Sequence, residues 1–184
     1  NLLSRRDDQT AIIFRGEDGR REEWSRAKLY AEVGRAQAAM RGIGVGVGDR
    51  VAAILPNCPE AVVAMLATSA LGAIWSSCSP DFGATGILDR FGQIEPKLLL
   101  ACDGYFWKGK SVDMSSKLQE VIESLPTVSM AVLLPFTSVD ATLPNWKTWP
   151  EFLTKKNVAA VFEPLPFDHP LYIMFSSGTT GTPK

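Results

Sequence analysis

The sequence predicts an α/β fold: a mostly parallel sheet with flanking helices, preceded by an amino-terminal hairpin. Three observations predict it. From residue 50 onward, short apolar runs alternate with stretches of helical periodicity, the pattern of parallel strands joined by right-handed crossovers. Those apolar runs are unbroken, as strands are when both faces of the sheet are covered. The first 25 residues hold two β-prone stretches around a Gly-Glu-Asp-Gly turn. At 184 residues the chain is long enough for one domain with a sizeable core.

Thr10 to Phe14 and Arg21 to Trp24 form the predicted hairpin. Ser25 is the predicted N-cap of a helix over 26–41, in which Leu29, Tyr30, Val33, Ala36, Gln37 and Met40 recur near helical spacing. Gly42 to Gly48 reads as a helix C-cap and turn. It is not a dinucleotide loop: the third glycine of G-x-G-x-x-G would fall on Val47 or Asp49, and the segment follows a helix and precedes a strand, the reverse of what that loop needs. Arg50 to Leu55 is a strand. Asn57 is the predicted cap of the next helix, with Pro59 and Glu60 in its first turn, where a missing N–H and a negative charge are both favoured. Its apolar body, Ala61 to Leu71, stops at Gly72.

Ile74 to Ser77 is a strand, and 85–94 a helix with Leu88 and Phe91 inward, broken by Pro96. Lys97 to Cys102 is a strand and Gly104 to Lys110 an aromatic and basic loop. A helix over 113–125 carries the stripe Leu118, Val121, Ile122 and Leu125, and Met130 to Leu134 is a strand. Between 135 and 170 prolines cluster and regular pattern fades, apart from a short helix near 151–155. Leu171 to Phe175 is the final strand.

Composition narrows the function. Nineteen basic and 20 acidic residues are mixed along the chain for a net charge of −1, so no basic block suggests nucleic acid. Cys58, Cys78 and Cys102 are widely spaced and His169 is the single histidine, which disfavours a zinc site. The cysteine usage fits a reduced, cytoplasmic compartment. Residues 61–80 carry no charge, but their apolar part is about 15 residues against the roughly 20 a bilayer requires, and Glu60 and Asp81 flank them. The amino terminus, Asn1 to Arg6, lacks the long apolar core of a signal peptide.

The chemistry concentrates in Phe175-Ser176-Ser177-Gly178-Thr179-Thr180-Gly181-Thr182-Pro183-Lys184. An apolar strand runs into a loop of hydroxyls, glycines and one lysine. Glycines let backbone N–H groups turn inward, hydroxyls add donors and the lysine adds a cation, which together suit phosphate. The loop is not G-x-x-x-x-G-K-[ST], because Pro183 stands where the second glycine would fall. The plain alternative is a Ser/Thr/Gly surface turn.

Ser177 to Lys184 resembles the S-G-[ST]-T-G-x-P-K loop of the AMP-forming adenylating enzymes, which include acyl-CoA synthetases, luciferases and peptide-synthetase adenylation domains. The resemblance extends over nearly the whole chain: Gly48-Asp49-Arg50-Val51 is similar to the family's strand entry, and Pro56-Asn57, Glu60 and Leu71-Gly72-Ala73 to its next helix and turn. Gly72 to Gly83, Leu88 to Phe91, Ile94 to Lys97 and Asp168 to Leu171 look like the acetoacetate-activating branch.

The resemblance implies part of an adenylate-forming amino-terminal domain over 1–184, truncated after the phosphate loop and without the small carboxyl-terminal domain. It implies a two-step ligase with ATP, Mg²⁺, coenzyme A and acetoacetate as reactants or metal. Ser176, Ser177, Gly178, Thr179, Thr180, Gly181, Thr182 and Lys184 would bind ATP phosphate, with Thr182 at the family's variable position. Lys110 aligns with a basic residue that contacts CoA phosphates in related acetyl-CoA synthetases, while Trp107 replaces another; an ordinary exposed lysine is the alternative. Adenine, ribose, magnesium and catalytic-lysine positions all fall beyond Lys184 in relatives, so no catalytic residue is expected within 1–184, and this segment alone is expected to be inactive.

Three other readings stay open: a synthetase for another short-chain or longer acid, a non-catalytic nucleotide-binding or scaffolding segment, and a luciferase-like oxidase, which the stretch 74–97 disfavours. His169 and Asp81 are expected in turns, Trp75 in the core, and the cysteines as unreactive.

Overall fold

Strands β1 (Thr10–Arg15) and β2 (Arg21–Ser25) pair antiparallel, from Thr10 against Ser25 to Arg15 against Arg21. The chain passes directly into helix α1 (Arg26–Gly42), whose first turn is capped by the Ser25 hydroxyl accepting from the Lys28 N–H at 3.1 Å. The computed structural model describes residues 2–138, 140–176 and 183.

The remaining elements are β3 (Arg50–Ile54), α2 (Pro59–Ala70), β4 (Ile74–Cys78), α3 (Ala84–Ile94), β5 (Leu98–Cys102), β6 (Gly104–Trp107), β7 (Lys110–Asp113), α4 (Ser115–Glu123), β8 (Met130–Leu134), β9 (Lys147–Thr148) and α5 (Trp149–Phe152). The central sheet is parallel throughout, in the order β4-β3-β5-β8-β9. Alternation along its strands supplies two cores. Val51 and Ala53 of β3, with Leu98 and Leu100 of β5, face α1 and α2. Ala52, Ile54, Leu99 and Ala101 face α3 and α4. Both faces are therefore buried, which is why these strands read as unbroken apolar runs.

The amino ends of the strands are tied by charge. Asp49 accepts from the Gly46 N–H at 2.9 Å and pairs with Lys97 at 3.0 Å, and Lys97 also donates to the Gly44 carbonyl at 2.6 Å. The Arg50 guanidinium donates to the carbonyls of Ile94 and Glu95, which end α3. The Gly-Asp-Arg stretch that resembles the family's strand entry thus closes the foot of the sheet.

Helix α1 seats the irregular segment between α5 and residue 162. Gln37, buried at 1 % exposure, accepts from the Val161 N–H at 2.8 Å and donates to the Val161 carbonyl. Tyr30 donates to the Ala160 carbonyl and Arg35 to the Thr154 carbonyl. A side-chain amide satisfying both backbone groups of one residue takes the place of a strand partner.

Several sequence expectations need correction. Cys58, not Asn57, occupies the cap position of α2, and its side chain makes no capping bond. Pro59 and Glu60 start this helix, and the extended backbone at Cys58 leaves Asn57 exposed outside it. In α3 the deep residues are Ile87, Phe91 and Ile94; Leu88 is half-buried at the edge of the same face. Gly104 to Lys110 is not a loop but most of the hairpin β6–β7, whose two-residue turn uses positive φ at Lys108 (51°) and Gly109 (76°). The short strand β9 was not expected. Leu171 to Phe175 runs beside β4 but joins it through one bridge, Trp75 with Tyr172, rather than as a full strand.

Candidate functional site

A parallel sheet gathers its loops at the carboxyl ends of its strands, where ligands of open α/β sheets bind. Here that rim holds Pro56 and Asn57 after β3, Ser79 to Asp81 after β4, Asp103 after β5 and Phe136 after β8. The segment 171–175 runs parallel to β4. The Trp75 N–H donates to the Leu171 carbonyl at 3.2 Å, the Ile173 N–H to the Trp75 carbonyl at 2.9 Å, and the Ser76 hydroxyl to the Ile173 carbonyl at 2.9 Å. This direction delivers Ser176, which is exposed, to the same rim. His169 sets the approach: its Nε2 lies 2.8 Å from the Gly72 carbonyl, which also accepts from the Gly48 N–H.

Ser177, Gly178, Thr179, Thr180, Gly181, Thr182 and Lys184 lie outside the described residues. Pro183 is described, and its carbonyl accepts from the Gln93 amide of α3 at 3.0 Å. Lys110 is exposed on β7 beside the hairpin turn, directly opposite Trp107. In the order of the sheet, β4 and β3 separate the 171–175 segment from β5, whose end carries the hairpin. Those three strand spacings amount to roughly 14 Å, so Ser176 and Lys110 stand on one rim but not together.

Between the two hairpins opens a cleft of about 300 Å³, lined among others by Phe14, Asn57, Pro80, Asp81, Phe106 and Trp107. Its wall includes Phe136, which packs on Phe106 with ring centroids 6.0 Å apart. Arg20 reaches over from the β1–β2 turn, stacks 4.4 Å from the Phe136 ring and donates to the Phe136 carbonyl at 3.2 Å. Sequence reasoning missed Arg20, Phe136 and Asp103. The first two have no local signature, because the contact joins residues 116 positions apart. Asp103 did leave a signal: a carboxylate immediately after an apolar strand.

Asp81 lies in an exposed turn, and the neighbouring Pro80 carbonyl accepts from Lys117 at 2.8 Å. Trp75 is 6 % exposed in the core. All three cysteines are free and buried, and burial pushes each thiol up to about 12. A thiolate is the reactive form, so these three should resist iodoacetamide at pH 8 in the native protein and react only after unfolding in urea. Mass-spectrometric mapping of carbamidomethylation checks this; rapid native labelling of any of them would contradict the burial. Among the described residues no group of three or more His, Cys, Asp or Glu side chains converges to hold a metal, and no helix is long and apolar enough to cross a membrane.

The family model described as AMP-binding enzyme matches residues 3–184, and the chain belongs to that family. It is 50% identical over its full length to an acetoacetyl-coenzyme A synthetase of Rhizobium meliloti (strain 1021), and 43% identical to an acetoacetyl-CoA synthetase of Xenopus tropicalis. A solved structure, acetoacetyl-CoA synthetase from Streptomyces lividans, superposes with a TM-score of 0.92 at 40% identity over 99% of this chain. The chain spans 29% of the length of those two curated relatives and 28% of the solved chain.

Proposed function

We propose that this chain serves an acetoacetate–CoA ligase, as the phosphate-gripping part of its adenylate-forming domain. One observation carries the reading: a segment parallel to β4 brings Ser176, which the sequence Ser177 to Lys184 follows directly, to the carboxyl rim of a doubly covered parallel sheet. The full-length similarity to acetoacetyl-CoA synthetases supports the acyl specificity. Because the chain spans 29% of those relatives, the activity is assigned to a polypeptide containing this segment, with adenine, ribose and acyl contacts supplied by the remainder.

In the proposed first step an acetoacetate carboxylate oxygen attacks the α-phosphorus of ATP. The bond to the β-phosphate oxygen breaks, and pyrophosphate leaves from acetoacetyl-adenylate. In the second, the CoA thiol loses its proton and its sulfur attacks the adenylate carbonyl, so that AMP leaves and the thioester forms. The difficulty in the first step is the meeting of anions and the charge gathering on pyrophosphate. Ser176, Ser177, Thr179 and Thr180 would donate to the β- and γ-phosphates, Gly178 and Gly181 would let the backbone approach, and Lys184 would add charge. Mg²⁺ is assigned as part of the substrate, carried on the triphosphate. Lys110 would meet a phosphate of CoA at the rim. The three buried free cysteines fit a reducing cytoplasm as the place of action.

The test is carboxylate-dependent ATP–pyrophosphate exchange by the full-length protein, with AMP release on adding CoA. Acetoacetate should support both reactions best among acetoacetate, acetate and propionate. Preference for acetate or propionate would favour a ligase for another short-chain acid, and absence of any acid-dependent exchange would overturn the assignment.

A further inference from the structure

Asp103 is a buried acid that the proposed chemistry does not use. It stands at the end of β5, 5 % exposed, where the rim begins. Its carboxylate accepts from four donors of the loop after β8: the Phe136 N–H at 2.6 Å, the Thr137 N–H at 2.9 Å, the Thr137 hydroxyl at 2.7 Å and the Ser138 N–H at 2.8 Å. Its own backbone is committed as well. The Asp103 N–H donates to the Leu134 carbonyl at 3.1 Å, and its carbonyl accepts from the Met114 N–H at 2.9 Å.

One residue therefore fastens the end of β5, the end of β8, the exit of the β6–β7 hairpin and the loop 136–138. The joint leaves no slack. A Cβ on the adjacent Gly104 would lie 2.5 Å from the Val112 carbonyl oxygen and 2.8 Å from the Thr137 hydroxyl. What the joint holds is the aromatic wall of the cleft, Phe106 on Phe136, and the hairpin that carries Trp107 and Lys110. Charge-assisted hydrogen bonds to a buried carboxylate are stronger than neutral ones, and a fully satisfied buried network rigidifies the segments it joins.

We propose that Asp103 is a positioning residue for the thioester-forming step: it sets the β6–β7 hairpin and the 136–138 loop at the angle at which Lys110 meets CoA. This rests on the assignment of Lys110 to CoA. Adenylation takes place roughly three strand spacings, about 14 Å, away at Ser176, and it needs no CoA, so the two half-reactions separate positioning from plain stability.

The experiment compares Asp103→Asn, Thr137→Val and Thr137→Ser in the full-length protein, with Lys110→Ala as the control for the site. Misplacement of a binding group by about an ångström costs on the order of tenfold to a hundredfold. Asp103→Asn should raise the CoA Michaelis constant by roughly that factor while ATP–pyrophosphate exchange stays within about twofold. Thr137→Val, which deletes one donor, should shift the same constant less, and Thr137→Ser should restore it. Equal losses in both half-reactions, or an unmoved CoA constant where Lys110→Ala raises it, would overturn the positioning role. An unmoved constant in Lys110→Ala as well would overturn the CoA assignment beneath it.

Discussion

Thr180→Val and Lys184→Ala in the full-length protein each reduce acetoacetate-dependent ATP–pyrophosphate exchange by about a hundredfold or more. Valine keeps the volume and branching of threonine and removes the hydroxyl, so the change is confined to one donor. Loss of a single preorganised donor to developing negative charge lowers turnover by roughly 10² to 10³. On the proposed assignment, alanine at 184 would remove a full positive charge beside a triphosphate whose leaving part gains charge as the bond breaks. Groups assigned to the departing pyrophosphate would act most strongly as it leaves, so the loss should fall on turnover more than on the Michaelis constant for acetoacetate. Steady-state exchange kinetics measure both. Exchange at the parent rate in both variants would remove the phosphate-binding assignment of the loop.

Gly34→Ala destabilises the fold by about 2–4 kcal/mol, against the usual direction of such a change. An alanine inside a helix is ordinarily about 1 kcal/mol better than glycine. Gly34 is buried in α1, where the helix meets the segment seated by Gln37, and an added Cβ would lie 1.9 Å from the Val158 carbonyl oxygen and 3.2 Å from the Ala160 nitrogen. Both are backbone atoms, so no side chain can swing aside. Relief requires the segment to lift, which strains or breaks the paired bonds between Gln37 and Val161 and the Tyr30 bond to Ala160. Overpacking alone costs roughly 1–3 kcal/mol, and each weakened buried hydrogen bond adds about 1. Gly92→Ala in α3 is the control, since its Cβ would meet nothing within 4 Å. Denaturant unfolding should show Gly92→Ala unchanged or slightly stabilised and Gly34→Ala clearly weakened; matching midpoints would refute the close-contact argument.

Why some features were legible and others not follows from range. The central strands were readable because both faces are buried, so that Val51 to Ile54 and Leu98 to Cys102 carry no polar interruption. Ser25 was readable because capping is a contact between residues three apart. The β6–β7 hairpin was obscured because Lys-Gly lacks the Asn-Gly or Asp-Gly cue for a two-residue turn, although Lys108 and Gly109 adopt the backbone such a turn needs. The start of α2 was misplaced by one residue because Asn57 is the better capping side chain, while the extended backbone at Cys58 decides the boundary. The expected phosphate loop is a local motif of the sequence, Ser177 to Lys184, and lies, apart from Pro183, outside the described residues. The aromatic cleft was not legible, since Asp103 meets Phe136 only because β5 lies beside β8, and Arg20 meets Phe136 only because the β1–β2 turn packs over that end of the sheet.

The ion pairs and guanidinium bonds of Asp49, Arg50 and Lys97 all lie at the foot of the sheet, the end opposite the loops. These ties and the loops of the rim are thereby housed at different poles. Substitutions in the upper loops need not loosen the girders below, so one architecture can carry a different rim without being rebuilt.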